Sequence, residues 1–251
     1  MTPMKISILF LASAAMLATA CNAEKGSATA NSAAEVTAKP VPAPNNGDWS
    51  SIVSKTAEGG FIMGNPNAKV KLVEFGSLTC PHCAEFEEKG GNALIENYVK
   101  KGLVSWEFRN FVRDPVDMTA TLLARCGGEA SFFGMTRNLF KDQRDWVAKF
   151  QSADQAKLQA LQSMPPGQQF NTIADLADLK QYASMRGVPR AKGEQCLANE
   201  TDINKLVQMN SDAASTYNIP GTPTFLINNE VVEQTATWEL LEPKIKEALN
   251  S

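Results

Sequence analysis

The stretch FGSLTCPHCAEF, residues 75–86, places two cysteines two residues apart. Pro81 and His82 lie between Cys80 and Cys83, and His82 is the single histidine of the chain. Cysteines at this spacing occur in metal sites, in structural crosslinks and in pairs that are alternately oxidised and reduced. The surrounding residues distinguish these three uses.

The two cysteines lie where a predicted strand turns into a predicted helix. The preceding segment KVKLVEFGSL, residues 69–78, alternates and then becomes continuously apolar, as a buried strand does. The following segment, residues 83–102, has apolar residues near one helical face and stops at Gly102. Within it, Gly90 and Gly91 predict a kink or a close backbone contact.

Cys80 is therefore expected at a helix N-terminus, where unpaired backbone N–H groups and the helix dipole stabilise an anion. A thiolate is such an anion, so we expect Cys80 to be an exposed nucleophile with a lowered pKa. Cys83, one turn into the helix, would be shielded and would attack a mixed disulfide formed at Cys80. His82 would add positive charge or a hydrogen bond to the thiolate. Pro81 suits the first helical turn, because no N–H donor is needed there.

Other uses of the pair fit less well. Zinc takes four ligands, and the sequence has no second Cys-x-x-Cys pair and no second histidine. Haem attachment requires a histidine directly after the second cysteine, where Ala84 stands. An inert crosslink that closes so short a loop restricts the unfolded chain little and stabilises little. The residues favour redox chemistry, with no metal and no bound cofactor.

A second pattern lies near the C-terminus. The segment YNIPGTPTFLINNEVVEQ, residues 217–234, predicts a strand over residues 224–227, a tight turn at Asn228 and Asn229, and a second strand. The segment TWELLEPKIKEALN, residues 237–250, predicts a closing amphipathic helix. The predicted order is strand, helix, strand, a long middle region, two antiparallel strands and a helix.

Cys-Pro-His-Cys at a strand-to-helix turn, with GTPTF entering a late strand, resembles the thioredoxin fold of DsbA-type thiol:disulfide oxidoreductases. The resemblance covers roughly residues 60–250 and implies an α/β thioredoxin fold with an inserted helical domain. It implies that Pro223 is cis and faces the two sulfurs. It also implies that the loop of Thr222 and Pro223 pairs with substrate backbone by strand addition, with Pro81 at the same binding surface.

The resemblance gives Glu74 a role as well. An acidic residue six positions before the first cysteine lies beneath the active site in this family, and Glu74 stands at that position. A carboxyl group buried there would have a raised pKa and would exchange a proton with Cys83. From the residues alone, an ordinary charge at a sheet edge is the alternative.

The middle of the chain, residues 117–215, would be the family's helical insertion, between a first part at residues 48–116 and a second part at residues 216–251. Four amphipathic segments predict helices there, with MPPGQQF as a loop between them: MTATLLARC, FFGMTRNLFKDQRDWVAKF, TIADLADLKQYASM and INKLVQMNSDAAS.

Cys126 and Cys196 both lie in this middle region, 70 positions apart. With Cys80 paired to Cys83, they would form a structural disulfide, as in some DsbA-like proteins. Closing so long a loop contributes about 4 kcal/mol of stability in the entropic model. Two buried free thiols are the alternative.

The N-terminus has the pattern of a secretory signal. Lys5 precedes an apolar run over residues 6–18, which is shorter than the roughly 20 residues of a bilayer-spanning helix. The segment ATAC, residues 18–21, fits signal peptidase and also resembles a lipoprotein box. We therefore expect a signal peptide at residues 1–20 and export to the periplasm. Anchoring through a lipidated Cys21 is favoured over simple secretion.

Residues 21–47 are predicted to form a flexible tether. From residue 22 onward this segment contains no Leu, Ile, Phe, Met, Tyr or Trp. It therefore cannot offset the entropy of ordering by burying side chains. A tether of this kind has a clear use if its first residue is held at a membrane.

Composition and charge narrow the function further. With 251 residues, of which 43% are hydrophobic, the chain can bury one large core or two small ones. The formal charge of −3 and the pI near 5.4 argue against a nucleic acid partner, which requires a basic surface.

The resemblance implies an enzyme that introduces disulfides into unfolded or partly folded exported proteins. A membrane protein similar to DsbB would reoxidise it. Thr222 stands where the best-known strong oxidases carry valine, and threonine is commoner in isomerases, which leaves the direction open. Isomerases of this group usually dimerise through a folded N-terminal domain, which residues 22–47 cannot supply. The sequence thus favours a monomeric oxidase over an isomerase or reductase, with a client-binding module without redox turnover as the remaining alternative.

Overall fold

The structure, a computed structural model, describes residues 36–251. The predicted signal peptide at residues 1–20 and the predicted lipidation site Cys21 lie outside the described residues. In the part of the chain that is described, no helix combines the length and hydropathy that crossing a bilayer requires.

A mixed sheet forms the centre of the molecule. Over residues 36–251 it has six strands, in the order β1-β2-β4-β3-β5-β6. Strands β3 and β4 pair in parallel, and the other neighbours pair antiparallel. The strands are β1 (Val53–Lys55), β2 (Phe61–Met63), β3 (Val70–Gly76), β4 (Val104–Asn110), β5 (Thr224–Ile227) and β6 (Glu230–Val232).

The two central strands are covered on both faces. All seven residues of β4 are buried, and Lys71 is the one exposed residue of β3. Helices on both faces of a parallel pair produce such a burial pattern, which explains the continuous apolar run before the cysteines. One face carries the main core, and the other carries a smaller cluster formed by Val73, Phe75 and Leu226 with Ala213. The strand that leads to the cysteine pair is thus packed on both faces.

The helix after β3 begins at the cysteine pair. Helix α1 (Pro81–Phe86) continues through a π-helical segment (Glu87–Gly91), the short α2 (Asn92–Leu94) and a second π-helical segment (Ile95–Val99). The sequence predicts one helix here, and the structure forms it with two wider segments. The helix ends at Val99, three residues before the predicted stop. The turn that follows contains Gly102, whose φ of 67° lies in the left-handed region that favours glycine.

The remaining helices lie mostly between β4 and β5. Among the described residues, one 3₁₀ helix (Leu161–Ser163) and eight α-helices occupy this interval: α3 (Pro115–Arg125), α4 (Glu129–Lys141), α5 (Gln143–Gln151), α6 (Gln155–Ala160), α7 (Pro166–Leu176), α8 (Leu179–Ser184), α9 (Arg190–Leu197) and α10 (Glu200–Tyr217). The prediction that MPPGQQF forms a loop is wrong in part, because α7 already begins at Pro166. Proline is well suited to the first helical position, which the loop prediction ignored.

The C-terminal hairpin and helix follow the sequence prediction. Strands β5 and β6 pair around Asn228 and Asn229, whose φ values of 51° and 73° fit a tight hairpin turn. The closing helix α11 (Trp238–Asn250) then packs on the main core.

A disulfide joins two helices of the middle region. Cys126, at the end of α3, is bonded to Cys196 in α9, with an S–S distance of 2.05 Å. The structure therefore places these two residues as a pair and not as separate thiols.

The described end of the predicted tether is packed against the molecule. Val36 and Ala38 lie against the main core, and the Val41 N–H donates to the Lys101 carbonyl at 2.9 Å. The indole of Trp49 donates to the Val41 carbonyl at 2.8 Å. The tether prediction thus differs from the structure over residues 36–47, because composition reports side-chain burial and says nothing of backbone hydrogen bonds.

The contact between α1's continuation and α11 gives a test of the packing. A Cβ atom on Gly90 would lie 2.7 Å from the Trp238 Cβ, whereas one on Gly134 in α4 would meet nothing within 4 Å. We expect Gly90→Ala to destabilise by about 1–3 kcal/mol through overpacking. The matched Gly134→Ala change should be neutral or stabilising by up to about 1 kcal/mol, because alanine favours the helix. Urea unfolding measures both, and equal effects of the two variants would contradict the contact.

Candidate active site

Cys80 lies at the junction between β3 and α1. It is the N-cap residue of α1, with extended backbone (φ −81°, ψ 119°), and Pro81 occupies the first helical position. Its N–H donates to the Ser77 carbonyl at 3.1 Å, which closes the turn after the strand. Cys80 therefore lies at a helix N-terminus, as the sequence predicts.

The loop at Pro223 covers this sulfur. The Thr222–Pro223 peptide bond is cis, Pro223 is buried, and the Cys80 thiol donates to the Thr222 carbonyl at 3.0 Å. Cys80 is consequently only 2% exposed and Cys83 is fully buried. The expectation of an exposed Cys80 is wrong for this structure. The cause is the loop of residues 222–223, which comes from the far end of the chain.

The environment of Cys80 favours its thiolate. Its pKa is lowered from 9.0 to about 5, chiefly by a hydrogen bond from the Cys83 thiol. Burial acts in the opposite direction, and smaller lowering contributions come from the Thr222 hydroxyl and from the backbone N–H groups of Cys83 and His82.

The imidazole of His82 points away from Cys80. Its side chain is 73% exposed, and its Nδ1 lies 3.7 Å from the Glu85 carboxylate. The contribution of His82 to the Cys80 thiolate thus comes from its backbone N–H. This differs from the expected role of the imidazole, because the side chain lies on the solvent side of the first helical turn.

Cys83 has the opposite electrostatics. Burial raises its pKa well above the usual range, and the hydrogen bond it gives to Cys80 and the nearby carboxyl of Glu74 act in the same direction. At neutral pH the pair therefore consists of one thiolate and one thiol. Of the two sulfurs, Cys80 is therefore the one with thiolate character.

Glu74 lies beneath the pair and is not an edge charge. It is 1% exposed in the central strand β3, and the Trp106 indole donates to its carboxyl at 3.1 Å. Burial raises the pKa of Glu74 well above its ordinary value, and the charge of Glu87 adds to this shift. Glu87 is itself largely buried in the first π-helical segment, where it pairs with Arg137. A carboxyl group in this setting can hold a proton near Cys83 at neutral pH.

Four residues of this site were missed by sequence reasoning. Glu87 and Trp106 approach Glu74, whereas Asp117 and Gln143 contact the turn before Cys80. None has a local signal in the sequence, apart from the Asp-Pro at residues 114–115 that marks the start of α3. Their proximity depends on elements distant in the chain, which no local pattern reports.

Asp117 binds the backbone of the turn. It is fully buried at the start of α3, and it accepts hydrogen bonds from the N–H groups of Leu78 (2.8 Å) and Arg113 (3.0 Å). Burial raises its pKa from 3.8 to about 6, against the effect of these hydrogen bonds.

A groove opens beside the first turn of α1. It has a volume of about 1050 Å³ and runs between the helix that starts at Pro81 and helices α4 and α5. Its walls carry both charge signs: Glu85, Glu87, Glu88, Lys89, Arg137, Lys141 and Arg144. Over residues 36–251, no group of three or more His, Cys, Asp or Glu side chains is arranged to hold a metal ion.

Comparisons with known proteins agree with this geometry. A family model described as Thioredoxin matches residues 56–247. The crystal structure of a protein-disulfide isomerase from Novosphingobium aromaticivorans is similar, with 34% identity and a TM-score of 0.72, over 76% of this chain and 97% of that chain. A structure of alpha-DsbA1 from Wolbachia pipientis shares the fold, with a TM-score of 0.61 at 20% identity over 84% of this chain and 94% of that chain.

Curated relatives show the same likeness. One from Rickettsia felis, provisionally named a protein-disulfide oxidoreductase, is 26% identical over 70% of this chain and 56% of its own length. This chain therefore spans little more than half of that relative. Disulfide bond formation protein D of Bacillus subtilis is 24% identical over 75% of this chain and 76% of its own length.

The hydrogen bond from Cys83 to Cys80 can be tested by alkylation. We expect Cys83→Ala to raise the pH midpoint of Cys80 alkylation from about 5. A shift of roughly one unit or more corresponds to losing a hydrogen bond to a charged acceptor. The Cys83→Ser variant keeps an O–H donor and should stay closer to the wild type. Iodoacetamide rates measured against pH provide the comparison, and identical midpoints in both variants would refute the assignment.

The lowered pKa of Cys80 also predicts how stability depends on pH. In the reduced protein the folded-state pKa of about 5 lies below the ordinary value of 9.0, so the folded state binds fewer protons between these values. Stability should therefore rise with pH across this window and be lost as pH falls through 5. Urea unfolding under reductant should show this rise in the wild type relative to Cys80→Ser. Parallel pH curves for the two proteins would contradict it.

Proposed function

We propose that this chain, which belongs to the thioredoxin family, is a thiol:disulfide oxidoreductase acting through Cys80 and Cys83. It has the α/β fold with an inserted helical domain that its motifs predict. The observation that carries the proposal is the asymmetry of the pair. A low-pKa sulfur at a helix N-terminus is hydrogen-bonded by a buried thiol of raised pKa. Structural cysteines have no need for such a difference.

The reaction begins with the Cys80–Cys83 disulfide. A client thiolate attacks the Cys80 sulfur, the bond between the two cysteines breaks, and Cys83 leaves and takes up a proton. The buried carboxyl of Glu74 is the proposed source of that proton. A second client thiolate then attacks the client sulfur of the mixed disulfide and releases Cys80 as a thiolate. Two electrons pass from the client to the cysteine pair, and the client gains one disulfide.

The stabilised thiolate supports the oxidase direction. A low pKa makes Cys80 a good leaving group in the second step, and it stabilises the reduced protein relative to the oxidised one. Both effects favour passing the disulfide to a client. Isomerase activity is the second candidate. It is favoured by Thr222 before the cis-proline and by the similarity to the protein-disulfide isomerase from Novosphingobium aromaticivorans.

The proposed clients are unfolded or partly folded exported proteins. An extended client segment would pair with the backbone at Thr222 and Pro223, next to Pro81, and so present its sulfur to Cys80. We place this activity in the periplasm, with a lipid anchor at Cys21 and reoxidation by a DsbB-like membrane protein. The protein would act as a monomer, without a bound cofactor.

A module that only holds clients is less well supported, because binding alone requires neither the lowered pKa of Cys80 nor the raised pKa of Cys83. The Cys80→Ser, Cys83→Ser double variant separates the two functions. An oxidoreductase loses its activity in this variant, whereas a binding module retains it.

A peptide-oxidation assay tests the proposal and its direction. The oxidised wild type should oxidise a reduced dithiol peptide, and Cys80→Ser should be inactive. Mixed with a disulfide-bonded peptide, Cys83→Ser should accumulate a mixed disulfide through Cys80 on non-reducing gels, because Cys83 is not there to displace the peptide. An oxidase should have a reduction potential nearer about −120 mV than the roughly −270 mV of thioredoxin. A potential at the thioredoxin end would reject the oxidase direction, and an active Cys80→Ser variant would reject the mechanism.

A further inference from the structure

Gln143 joins the helical insertion to the backbone of the redox turn. Its side-chain nitrogen Nε2 donates to two carbonyl oxygens, that of Leu78 at 2.8 Å and that of Cys80 at 2.9 Å. Gln143 is 6% exposed, at the first position of α5. Both hydrogens of one amide nitrogen are therefore used on the chain segment that carries the nucleophile.

The two carbonyl groups lie at either end of the short segment Leu78–Cys80. Leu78 is fully buried and Cys80 is 2% exposed, so bulk water is not at hand to replace Gln143 as a donor. The N–H of Leu78 is bound on its other side by Asp117 at 2.8 Å. The carbonyl of Cys80 also accepts the Ala84 N–H of the first helical turn, at 3.2 Å. Two buried side chains of the insertion thus bind this turn. Asp117 accepts from the N–H of Leu78, and Gln143 donates to the carbonyls of Leu78 and Cys80.

The surroundings of Gln143 fix its position. The neighbouring Asp142 accepts hydrogen bonds from the Tyr182 hydroxyl (2.8 Å) and from Arg186 (3.2 Å). On the next turn, the Trp146 indole donates to the Leu139 carbonyl at 2.9 Å. Hydrogen bonds therefore fix the corner between α4 and α5 on both sides of Gln143. The amide of Gln143 is already oriented toward the turn in the absence of a client.

We propose that Gln143 is a positioning residue of the redox pair, which holds the Cys80 backbone so that the Cys80 sulfur remains against its hydrogen-bond donors. This inference rests on the proposed thiol:disulfide exchange. The donors concerned are the Cys83 thiol and the backbone N–H groups of His82 and Cys83, whose directions follow from the turn. Hydrogen bonds weaken steeply when donor and acceptor are misaligned, so a small relaxation of the turn reduces thiolate stabilisation.

The chemistry of the side chain fits this role. An amide offers two N–H donors from one neutral nitrogen, which matches two carbonyl oxygens. A carboxylate at the same place would offer acceptors alone, and an apolar side chain would leave both buried carbonyl groups without this partner. The inserted domain would in this way influence the reactivity of the sulfur without touching it.

The experiment compares two glutamine-to-methionine variants of the full chain. Gln143→Met keeps the length of the side chain and removes its donors. Gln169→Met is the matched control, because Gln169 also lies in the insertion and donates to a backbone carbonyl, that of Leu161 at 2.8 Å. The readouts are the pH midpoint of Cys80 alkylation in the reduced protein and the free energy of unfolding.

We expect Gln143→Met to raise the alkylation midpoint by roughly one pH unit, a tenfold change in the thiol–thiolate equilibrium. Gln169→Met should lose stability without moving the midpoint. If the role of Gln143 were purely structural, Gln143→Met would behave in the same way as this control. An unchanged midpoint in folded Gln143→Met overturns the positioning role. If Gln143→Met does not fold, Gln143→Asn is measured, since it stays neutral and its shorter amide cannot reach both carbonyl groups, and the same two outcomes apply.

The wild type separates this inference from the function on which it rests. A wild-type Cys80 midpoint near that of an ordinary thiol would contradict the proposed redox pair. A low wild-type midpoint together with an unchanged Gln143→Met midpoint contradicts only the positioning role.

Discussion

The hydrogen bond between the two thiols is the interaction on which the rest of the site depends. It requires Cys83 to remain a thiol while Cys80 becomes a thiolate, and burial imposes that order by raising the pKa of Cys83. Burial alone would raise the pKa of Cys80 as well. The difference arises because Cys80 stands at the start of the helix and receives donors from Cys83 and from the backbone, whereas Cys83 lies inside the first turn.

This arrangement requires a rigid support, which comes from three distant parts of the chain. Strand β3 ends at the turn, the loop of residues 222–223 covers the sulfur, and the helical insertion binds the turn from its other side through Asp117 and Gln143. The insertion is therefore more than a cover for the sheet. It supplies buried polar partners to a segment whose backbone groups are out of reach of water.

The charges beneath the pair follow the same principle. Glu74 is buried and Glu87 largely so, and burial raises the pKa of both carboxyl groups. The charge of Glu87 raises the pKa of Glu74 further, while Arg137 offsets part of the effect of burial on Glu87. Among the residues that the structure describes, the one hydrogen-bond donor to Glu74 is the neutral indole of Trp106. A carboxyl group in this setting holds its proton more strongly than one in water. This property suits Glu74, because the charge of the nearby Cys83 sulfur would change during the proposed disulfide exchange.

Local patterns were enough to predict the strand, the helix and the hairpin, and they were enough to predict that Cys80 lies at a helix N-terminus. These features depend on residues close together in sequence. The exposure of Cys80, the direction of the His82 imidazole and the packing of residues 36–47 were not predicted. They were decided by contacts between segments far apart in the chain, and such contacts are set by how the helices and loops pack around the sheet, which no short stretch of sequence records.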